Sequence, residues 1–431
     1  MDTTSSPRRF RVLTRATCLA TVVSAVTPLA LAAATFTPTS GRPFASTSVW
    51  NSAIVSNPAM MANSAAMAAR LNSGQHIADL NDYAIPIYNA VPTSPVVSVQ
   101  CTEPWGTCPL PSSIRLPAGA IPNAGSDHAL VNIDWSTNPP ISYEFWDANI
   151  ATGNSITTAW GGITVNLLNG SGIQDGGGTV GATATNVSRL AGVIRLREIQ
   201  DGVIPHALAI ASSVACTDYF RYPAAKTDGR DISANCVPEG TRVQLNPAIN
   251  ISSLPIGEKI IAKALQTYGA YVIDQSAVPV AMAFEGDSSL IGKSGQLPAV
   301  YRNAGFAWDY YDMVHIPWSG LRVLQQWNGR ADTTAPTAPA SVTATSVAAR
   351  NVTVAWYPSS DGQGSGVAGY YLWRSDTSGR SWTLVASGTP ANLVDTTAQP
   401  SQTYLYGVRA QDGVGNISAA SNIIQVQTPS S

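Results

Sequence analysis

The residues best suited to chemistry lie on one predicted β-hairpin in the first half of the chain. Its first strand carries His128, Asn132 and Asp134 at alternate positions, and its second strand carries Glu144 and Trp146. Alternate residues of a strand share one face. If the proline-rich turn is centred midway between the strands, both polar sets face the same side and the two carboxyls become diagonal neighbours.

Two acids in that relation suit the cleavage of a glycosidic bond. Diagonal positions across a strand pair lie about 7–8 Å apart, and glycosidases hold their two carboxyls about 5–9.5 Å apart. We predict that either Glu144 or Asp134 is the general acid and that the other is the nucleophile or base, with His128 tuning or orienting them. Trp146 would stack on a sugar ring, and Asn132 would bind hydroxyls. A merely solvated polar face is the alternative, because outer faces of antiparallel sheets are routinely polar.

A second strand that begins with histidine supplies another candidate. His206, in the sequence IPHALAIA, repeats the His-Ala-Leu of the first hairpin strand, and we expect it to reach the same cleft. A polysaccharide lyase is an alternative enzyme class, since it needs a base beside a uronate carboxylate and a group that neutralises that carboxylate. His128 or His206 with Tyr143 would supply the base, and Arg242 would bind the carboxylate.

A non-catalytic glycan- or surface-binding protein is a third hypothesis, with Trp146, Trp160 and Trp318 as stacking platforms. No metal or cofactor is predicted, because neither candidate histidine has metal-ligand spacing. The glycine-rich stretch 286–294 has five residues between its first two glycines, whereas a phosphate-binding loop requires four. A glycoside hydrolase is therefore the leading hypothesis.

The elements that must position these residues are mostly short strands. Runs of alternating or apolar residues predict strands at 84–88, 129–135, 142–146, 163–168, 206–210, 270–273 and 280–284. Helical periodicity predicts helices at 57–71, 186–199 and 255–268. Residues 35–327 are therefore predicted to form a mainly β domain, a β-sandwich or jelly roll with a few helical insertions.

The C-terminal part of the chain has a more regular pattern. Val352, Val354 and Trp356 alternate, and turn residues recur at roughly 8–12 residue spacing, which is typical of a small sandwich. Trp356 is placed to fill the core, and Tyr404 to form a tyrosine corner. A Pro-rich entry precedes the motifs V-x-V-x-W, G-Y-x-L-x-R and Y-x-Y-x-V-x-A-x-D-x-x-G-N-x-S. With them, residues 335–428 resemble bacterial fibronectin type III modules, which have an immunoglobulin-like fold.

That resemblance has implications for the rest of the chain. Modules of this kind commonly lie C-terminal to the catalytic domain in secreted enzymes that attack polysaccharides. Residues 35–327 generally resemble such catalytic domains. A linker at 328–334 joins the two regions. We expect the module to fold alone and to be dispensable for activity on a soluble substrate, because the candidate acids lie far upstream.

The chain begins with a segment typical of a secretory signal peptide. Four arginines precede an apolar stretch at 16–33, and small residues follow. Cleavage would remove residues 1–34 and leave a secreted, extracellular protein. A membrane anchor is the alternative, but Pro28 and polar residues interrupt the apolar run, and it is short for a span.

The cysteines agree with export. Cys18 leaves with the signal segment, and four cysteines remain. An even number in an exported chain predicts disulfides. Local pairing is the simplest of the three connectivities, and it joins Cys101 to Cys108 and Cys216 to Cys236.

The charge of the mature chain bounds its partners. Loss of the four arginines and one aspartate of the signal segment leaves 20 basic and 25 acidic residues, without a basic cluster. Nucleic acid is therefore not an expected partner, and no other apolar run is long enough to span a bilayer. We expect a monomer whose partner is a polysaccharide.

Overall fold

The computed structural model describes residues 42–151, 155–174, 181–293, 295–325, 333–361, 367–388, 390–413 and 416–431. The predicted signal segment 1–34 and most of the linker 328–334 lie outside these residues, so both stay predictions. Among the helices of the described residues, none has the length and apolar character needed to cross a membrane.

Strands dominate residues 35–327, which we call the block. In chain order its strands are β1 (His76–Asp79), β2 (Ile85–Ala90), β3 (Val96–Cys101), β4 (Ser113–Arg115), β5 (Leu130–Asp134), β6 (Ile141–Ala151), β7 (Ser155–Thr164), β8 (Leu208–Ala211), β9 (Ala215–Phe220), β10 (Val237–Glu239), β11 (Arg242–Leu245), β12 (Ala270–Asp274), β13 (Val280–Ala283), β14 (Glu285–Gly286), β15 (Tyr311–Asp312) and β16 (Leu321–Val323). The helices are α1 (Ser64–Leu71), α2 (Leu196–Asp201), α3 (Ile256–Thr267) and α4 (Ala299–Asn303), with a 3₁₀ turn at Trp318–Gly320.

Two sheets form the framework of the block in its described residues. Sheet A has the strand order β15-β1-β13-β8-β12-β11-β16, and sheet B has the order β14-β2-β5-β6-β7-β3-β4. Both sheets are mixed. In sheet A, β8 runs parallel to β12 and antiparallel to β13. In sheet B, β5 runs parallel to β2 and antiparallel to β6. Over the described residues of the whole chain, strands account for 37% and helices for 9%, which confirms the mainly β prediction.

Side-chain alternation along β12 shows how the layers stack. Ala270 and Val272 belong to a core that includes residues of α1 and α3, whereas Tyr271 and Ile273 belong to a second core shared with sheet B. A third apolar cluster, around Phe145, covers the far face of sheet B. The block is therefore layered as helices, sheet A and sheet B, and its two sheets form the predicted sandwich.

One predicted helix is confirmed and one is wrong. The helix predicted at 255–268 is α3, and Gly269 follows it with a φ of 69°. The helix predicted at 186–199 is limited to α2 at its end. Asn186 and Gly192 have φ values of 65° and 74°, which no helix contains. The apolar spacing of this segment instead reflects burial of Val187, Leu190 and Val193 between the two sheets.

Two other predicted elements are shorter than expected. The helix predicted at 57–71 forms only over α1. The strand predicted at 163–168 ends with β7 at Thr164, because Asn166 adopts a φ of 52° and begins a turn.

The C-terminal module is a sandwich of the fibronectin type III kind. Its strands are β17 (Ala340–Val347), β18 (Val352–Tyr357), β19 (Val367–Ser375), β20 (Trp382–Gly388), β21 (Asn392–Asp395), β22 (Thr403–Asp412) and β23 (Ile424–Gln427). In the described residues they form sheets β17-β18-β21 and β20-β19-β22-β23. Trp356 is buried in the core, and the Tyr404 hydroxyl accepts the Gln399 N–H at 3.1 Å. Both predictions for these aromatic residues are confirmed.

Candidate active site

The register of the predicted hairpin differs by one residue from the one expected. Glu144 pairs with Val131, and Asp134 pairs with Ile141, across β5 and β6. Directly paired residues share a face and the next residue points to the opposite face. Glu144 therefore faces sheet A and Asp134 faces the other way. The expectation that the two carboxyls and His128 open onto one cleft is wrong.

Glu144 is sealed between the two sheets. It has no exposed surface, and its carboxylate accepts hydrogen bonds from the Ser142 hydroxyl at 2.9 Å, the Gln174 amide at 2.7 Å and the Ser188 hydroxyl at 2.5 Å. The backbone N–H of Arg189 is a fourth donor. Burial raises the pKa of Glu144, and these hydrogen bonds oppose the rise. This carboxyl joins segments of the fold and does not face a substrate.

The other polar residues of the hairpin serve local structure. Asp134 is 5% exposed, and its carboxylate accepts the Ser136 N–H at 2.8 Å and the Ser136 hydroxyl at 2.6 Å. The Asn132 amide donates to the Arg115 carbonyl at 2.8 Å. Tyr143 is buried in the apolar cluster on the far face of sheet B. None of these three side chains meets the predicted role in a cleft.

The two histidines do not converge. His128 is exposed, and its Nδ1 lies 2.8 Å from an Asp147 carboxylate oxygen. His206 is buried, with Nε2 at 3.0 Å from Glu198 and Nδ1 at 2.8 Å from the Ala207 carbonyl. Burial would raise the pKa of Glu198, but His206 and Arg195 outweigh it and lower that pKa to about 2. His206 therefore belongs to a buried ionic cluster.

Arg242 and Trp318 are also structural. The Arg242 guanidinium is buried and donates to the Tyr268 carbonyl at 2.7 Å and the Ser52 carbonyl at 2.6 Å. Trp318 stacks on His76 with ring centroids 4.3 Å apart, inside the core that includes residues of α1 and α3. The substrate-binding roles predicted for these two residues do not fit their burial.

Trp146 and Trp160 do line a cleft, whose volume is about 790 Å³. They oppose each other directly on β6 and β7. Trp105 adds a third ring, 5.9 Å from Trp146 and 5.6 Å from Trp160 between centroids. Trp105 is 52% exposed, so a flat apolar ligand can reach it. We call these three residues the aromatic wall.

A sheet face with small side chains forms the floor of the cleft. Four adjacent strands of sheet A, β1, β13, β8 and β12, contribute alternate residues to it, namely Ile77, Asp79, Ala281, Ala283, Ala209, Ala211 and Asp274. The alanines leave open volume above the sheet. Asp79 lies at one edge of this floor and Asp274 at the other. Their strands are separated by three inter-strand spacings of about 4.8 Å each.

Asp79 marks the first edge. Burial, followed by the charges of Asp309 and Asp127, raises its pKa to about 7. Asp127 also lines the cleft, and its carboxylate lies 3.7 Å from the Arg189 guanidinium. Arg189 is the residue whose backbone N–H binds Glu144, so the sealed carboxyl helps to hold this side of the cleft.

A cluster of titratable side chains marks the second edge. Burial, followed by the charge of Asp228, raises the pKa of Asp274 to about 7. Glu239 has no exposed surface, and its pKa is raised to about 8 by burial and by nearby Asp228 and Asp274, against a lowering contribution from Thr227. Burial lowers the pKa of Lys226, although the same two aspartates oppose that shift. Carboxyls held protonated near neutral pH can act as general acids.

Both predicted disulfides are present, and each closes a loop that lines the cleft. Cys101–Cys108 encloses Trp105. Cys216–Cys236 encloses Lys226, Thr227, Asp228 and Arg230. The first disulfide thus constrains the loop of Trp105 and the second the loop of Asp228. We call Asp228, Asp274 and Glu239 the acidic edge.

Sequence reasoning missed Trp105, Asp79, Asp127, Asp228 and Glu239, and it did not place Asp274 among the candidate site residues. One usable signal was present, because the paired cysteines bracket the loops that carry Trp105 and Asp228. The remaining acids come from four separate strands and loops. Among the described residues, no group of three or more His, Cys, Asp or Glu side chains is arranged to hold a metal ion.

Comparison with known proteins gives partial similarities. No family model matches the chain. It is 27% identical to exoglucanase B of Cellulomonas fimi over 321 residues, 72% of this chain and 28% of that protein. It is 44% identical to endoglucanase B of Cellulomonas fimi over 97 residues, 22% of this chain and 9% of that protein. Chitinase A1 of Niallia circulans is 39% identical over 97 residues, 22% of this chain and 13% of that protein.

The chain therefore spans 28% or less of the length of these relatives. The matches of 97 residues have about the length of the C-terminal module. Among solved structures, a fibronectin type III domain of human fibronectin type III domain containing protein 3 is 22% identical and covers 23% of this chain and 93% of its own, with a TM-score of 0.21.

Proposed function

We propose that the block is an extracellular enzyme that hydrolyses glycosidic bonds of a polysaccharide, with the cleft as its active site. The observation that carries the proposal is the aromatic wall lining the same cleft as Asp274 and Asp228. Tryptophan rings suit the apolar faces of sugars, and paired carboxyls supply acid and base for glycoside cleavage.

The acidic edge suggests how the two carboxyls would divide the reaction. Asp274, whose pKa is about 7, is protonated often enough near neutrality to donate a proton to the leaving glycosidic oxygen. Asp228 is exposed, and as a carboxylate it would accept the proton of the attacking water or attack the sugar itself. The protonation of Glu239 would be coupled to that of this pair, since its pKa of about 8 depends on both aspartates.

Two further observations support a secreted polysaccharide-degrading role. The named relatives include two glucanases and a chitinase, which points to a polysaccharide as the substrate class. Two disulfides are typical of proteins that fold in an oxidising compartment. The predicted signal segment fits the same location.

A glycan-binding protein without catalysis is the second candidate, favoured by the half-exposed ring of Trp105. The lyase based on histidine and tyrosine has less support, because Tyr143 and His206 are buried apart. Arg242 is buried as well, so the group assigned to the uronate carboxylate is not accessible.

One experiment separates these possibilities. The purified protein is incubated with a panel of glucans, chitin and uronate-containing polysaccharides, and new reducing ends and ultraviolet-absorbing unsaturated products are measured. We expect new reducing ends without unsaturation. Asp228→Asn should lose about 100-fold or more of that activity while keeping its affinity for the same glycan in native affinity electrophoresis. Binding without turnover by the wild-type protein would support the second candidate, and unsaturated products would support a lyase.

A further inference from the structure

The loop closed by Cys216–Cys236 touches the C-terminal module. Tyr222 lies in this loop, a few residues before the cleft residues Lys226 and Asp228. A Cβ built on Gly413, in the turn after β22 of the module, would lie 2.4 Å from a carbon of the Tyr222 ring. The block and the module belong to one compact unit, Ala34–Ser431. The absence of a side chain at Gly413 is what lets this ring fit.

Tyr222 is held from the block side as well. Its ring packs against the core between the two sheets. A cavity of about 90 Å³ beside it is lined by Asn166 and Ser171 of the block and by Pro358 and Tyr370 of the module. Burial, followed by charges that include Asp361 and Asp412 of the module, raises the Tyr222 pKa.

Backbone hydrogen bonds connect the segment around Tyr222 to the acidic edge. The N–H of Arg221, next to Tyr222, donates to the Glu239 carbonyl at 2.8 Å. Three residues after Tyr222, the Ala225 N–H donates to the Thr185 carbonyl at 2.9 Å. Thr227, Asp228 and Arg230 then line the cleft. A shift of Tyr222 would therefore move both the carbonyl of Glu239 and the segment that carries Asp228.

We propose that the C-terminal module is a positioning element of the cleft, which it holds by clamping Tyr222 against the block. This revises the expectation that the module is dispensable. Tyr222 is a positioning residue, because it acts through the loop and does not line the cleft. The effect on activity rests on the proposed function, whereas the effect on loop order does not.

The test uses full-length variants and two readouts. Trypsin cleaves after Lys226 and Arg230, so the rate of cleavage at these sites, measured by mass spectrometry, reports how often the loop opens. Activity against the best substrate of the panel is the second readout. Gly413→Ala places a methyl group against the Tyr222 ring from the module side and leaves every residue of the block unchanged. Tyr222→Ala removes the clamp from the block side.

We expect about tenfold faster cleavage at both sites in Gly413→Ala and Tyr222→Ala, with a matching loss of kcat. Gly407→Ala is the matched control, because its new methyl group would lie 3.7 Å from the nearest side-chain atom, an ordinary contact. Tyr222→Phe is the second control, since it keeps the ring. Wild-type protease resistance in both test variants would overturn the proposal. Faster cleavage in a protein that has no activity on the panel would support the clamp and count against the proposed function.

Discussion

Glu144 and Asp274 are both acids whose pKa is raised chiefly by burial, yet their surroundings differ in kind. Glu144 has four hydrogen-bond donors and no exposed surface. Asp274 lines an open cleft and has a second carboxyl, Asp228, as its main electrostatic neighbour. The same direction of pKa shift therefore accompanies a fixed structural anchor in one place and an acid available for proton transfer in the other.

The largest expected effect is a loss of turnover when Asp274 is replaced. Asp274→Asn should lower kcat about 100-fold or more, because the amide cannot donate the proton that the leaving oxygen needs. Its melting temperature should change little. Asp79→Asn is the matched control, since Asp79 has a similarly raised pKa at the opposite edge of the same floor. Equal losses in the two variants, measured as initial rates on a soluble glycan, would refute the assignment of the acidic edge.

The reverse pattern is expected at Glu144. Glu144→Ala leaves the donors of Ser142, Gln174 and Ser188 and the Arg189 N–H without their acceptor, and each buried unsatisfied group costs about 1–3 kcal/mol. We expect a loss of roughly 4 kcal/mol or more in the free energy of unfolding of the block, the lower end of the sum over these donors. Urea denaturation measures it. A stable Glu144→Ala protein with abolished turnover would restore the catalytic role first predicted for this residue.

The sequence predicted best where local signals and packing agree. The alternating strands of the module, the core position of Trp356 and the corner at Tyr404 follow from residue types at fixed spacing. Helix α3 also follows, because its apolar stripe matches a helical period and Gly269 ends it. The disulfides needed only the simplest pairing of neighbouring cysteines.

The site was harder to predict, because its geometry depends on long-range pairing. One residue of register at the hairpin turn decides whether Glu144 faces sheet A or the other side. The floor joins Asp79 and Asp274 from strands about 200 positions apart in sequence, and only the strand order of sheet A makes them neighbours of the same cleft. Trp146 and Trp160 were chosen as aromatic sugar platforms, and they do line the cleft.

A smaller expected effect is the pH dependence of the free energy of unfolding that Asp79, an acid of the open cleft, contributes. The pKa of Asp79 rises from 3.8 to about 7, so the folded state keeps a proton that the unfolded chain releases. The stabilisation of the folded state by this bound proton is complete below pH 3.8 and is lost as pH rises through about 7. The free energy of unfolding should therefore fall over that range, by at most a few kcal/mol for this group.

Urea denaturation at fixed ionic strength, from about pH 4 to 8, measures this slope. Asp79→Asn should flatten it, because the amide does not titrate. Glu103→Gln is the control, since Glu103 is only partly buried and does not line the cleft, and its removal should leave the slope unchanged. A slope that is identical in all three proteins would show that Asp79 does not carry a raised pKa in the folded state.

The smallest expected effect compares two exposed tryptophans and tests the wall opposite the acids. Trp105 is 52% exposed and packs beside Trp146 and Trp160, whereas Trp308 is 58% exposed and does not line the cleft. Trp105→Ala should weaken binding of a soluble oligosaccharide about 5- to 10-fold, because one sugar face loses its stacking ring. Calorimetric titration of the Asp228→Asn background measures binding without turnover. Trp308→Ala should bind like its parent, and if both substitutions weaken binding equally, the sugar is held by a general apolar surface and not by the aromatic wall.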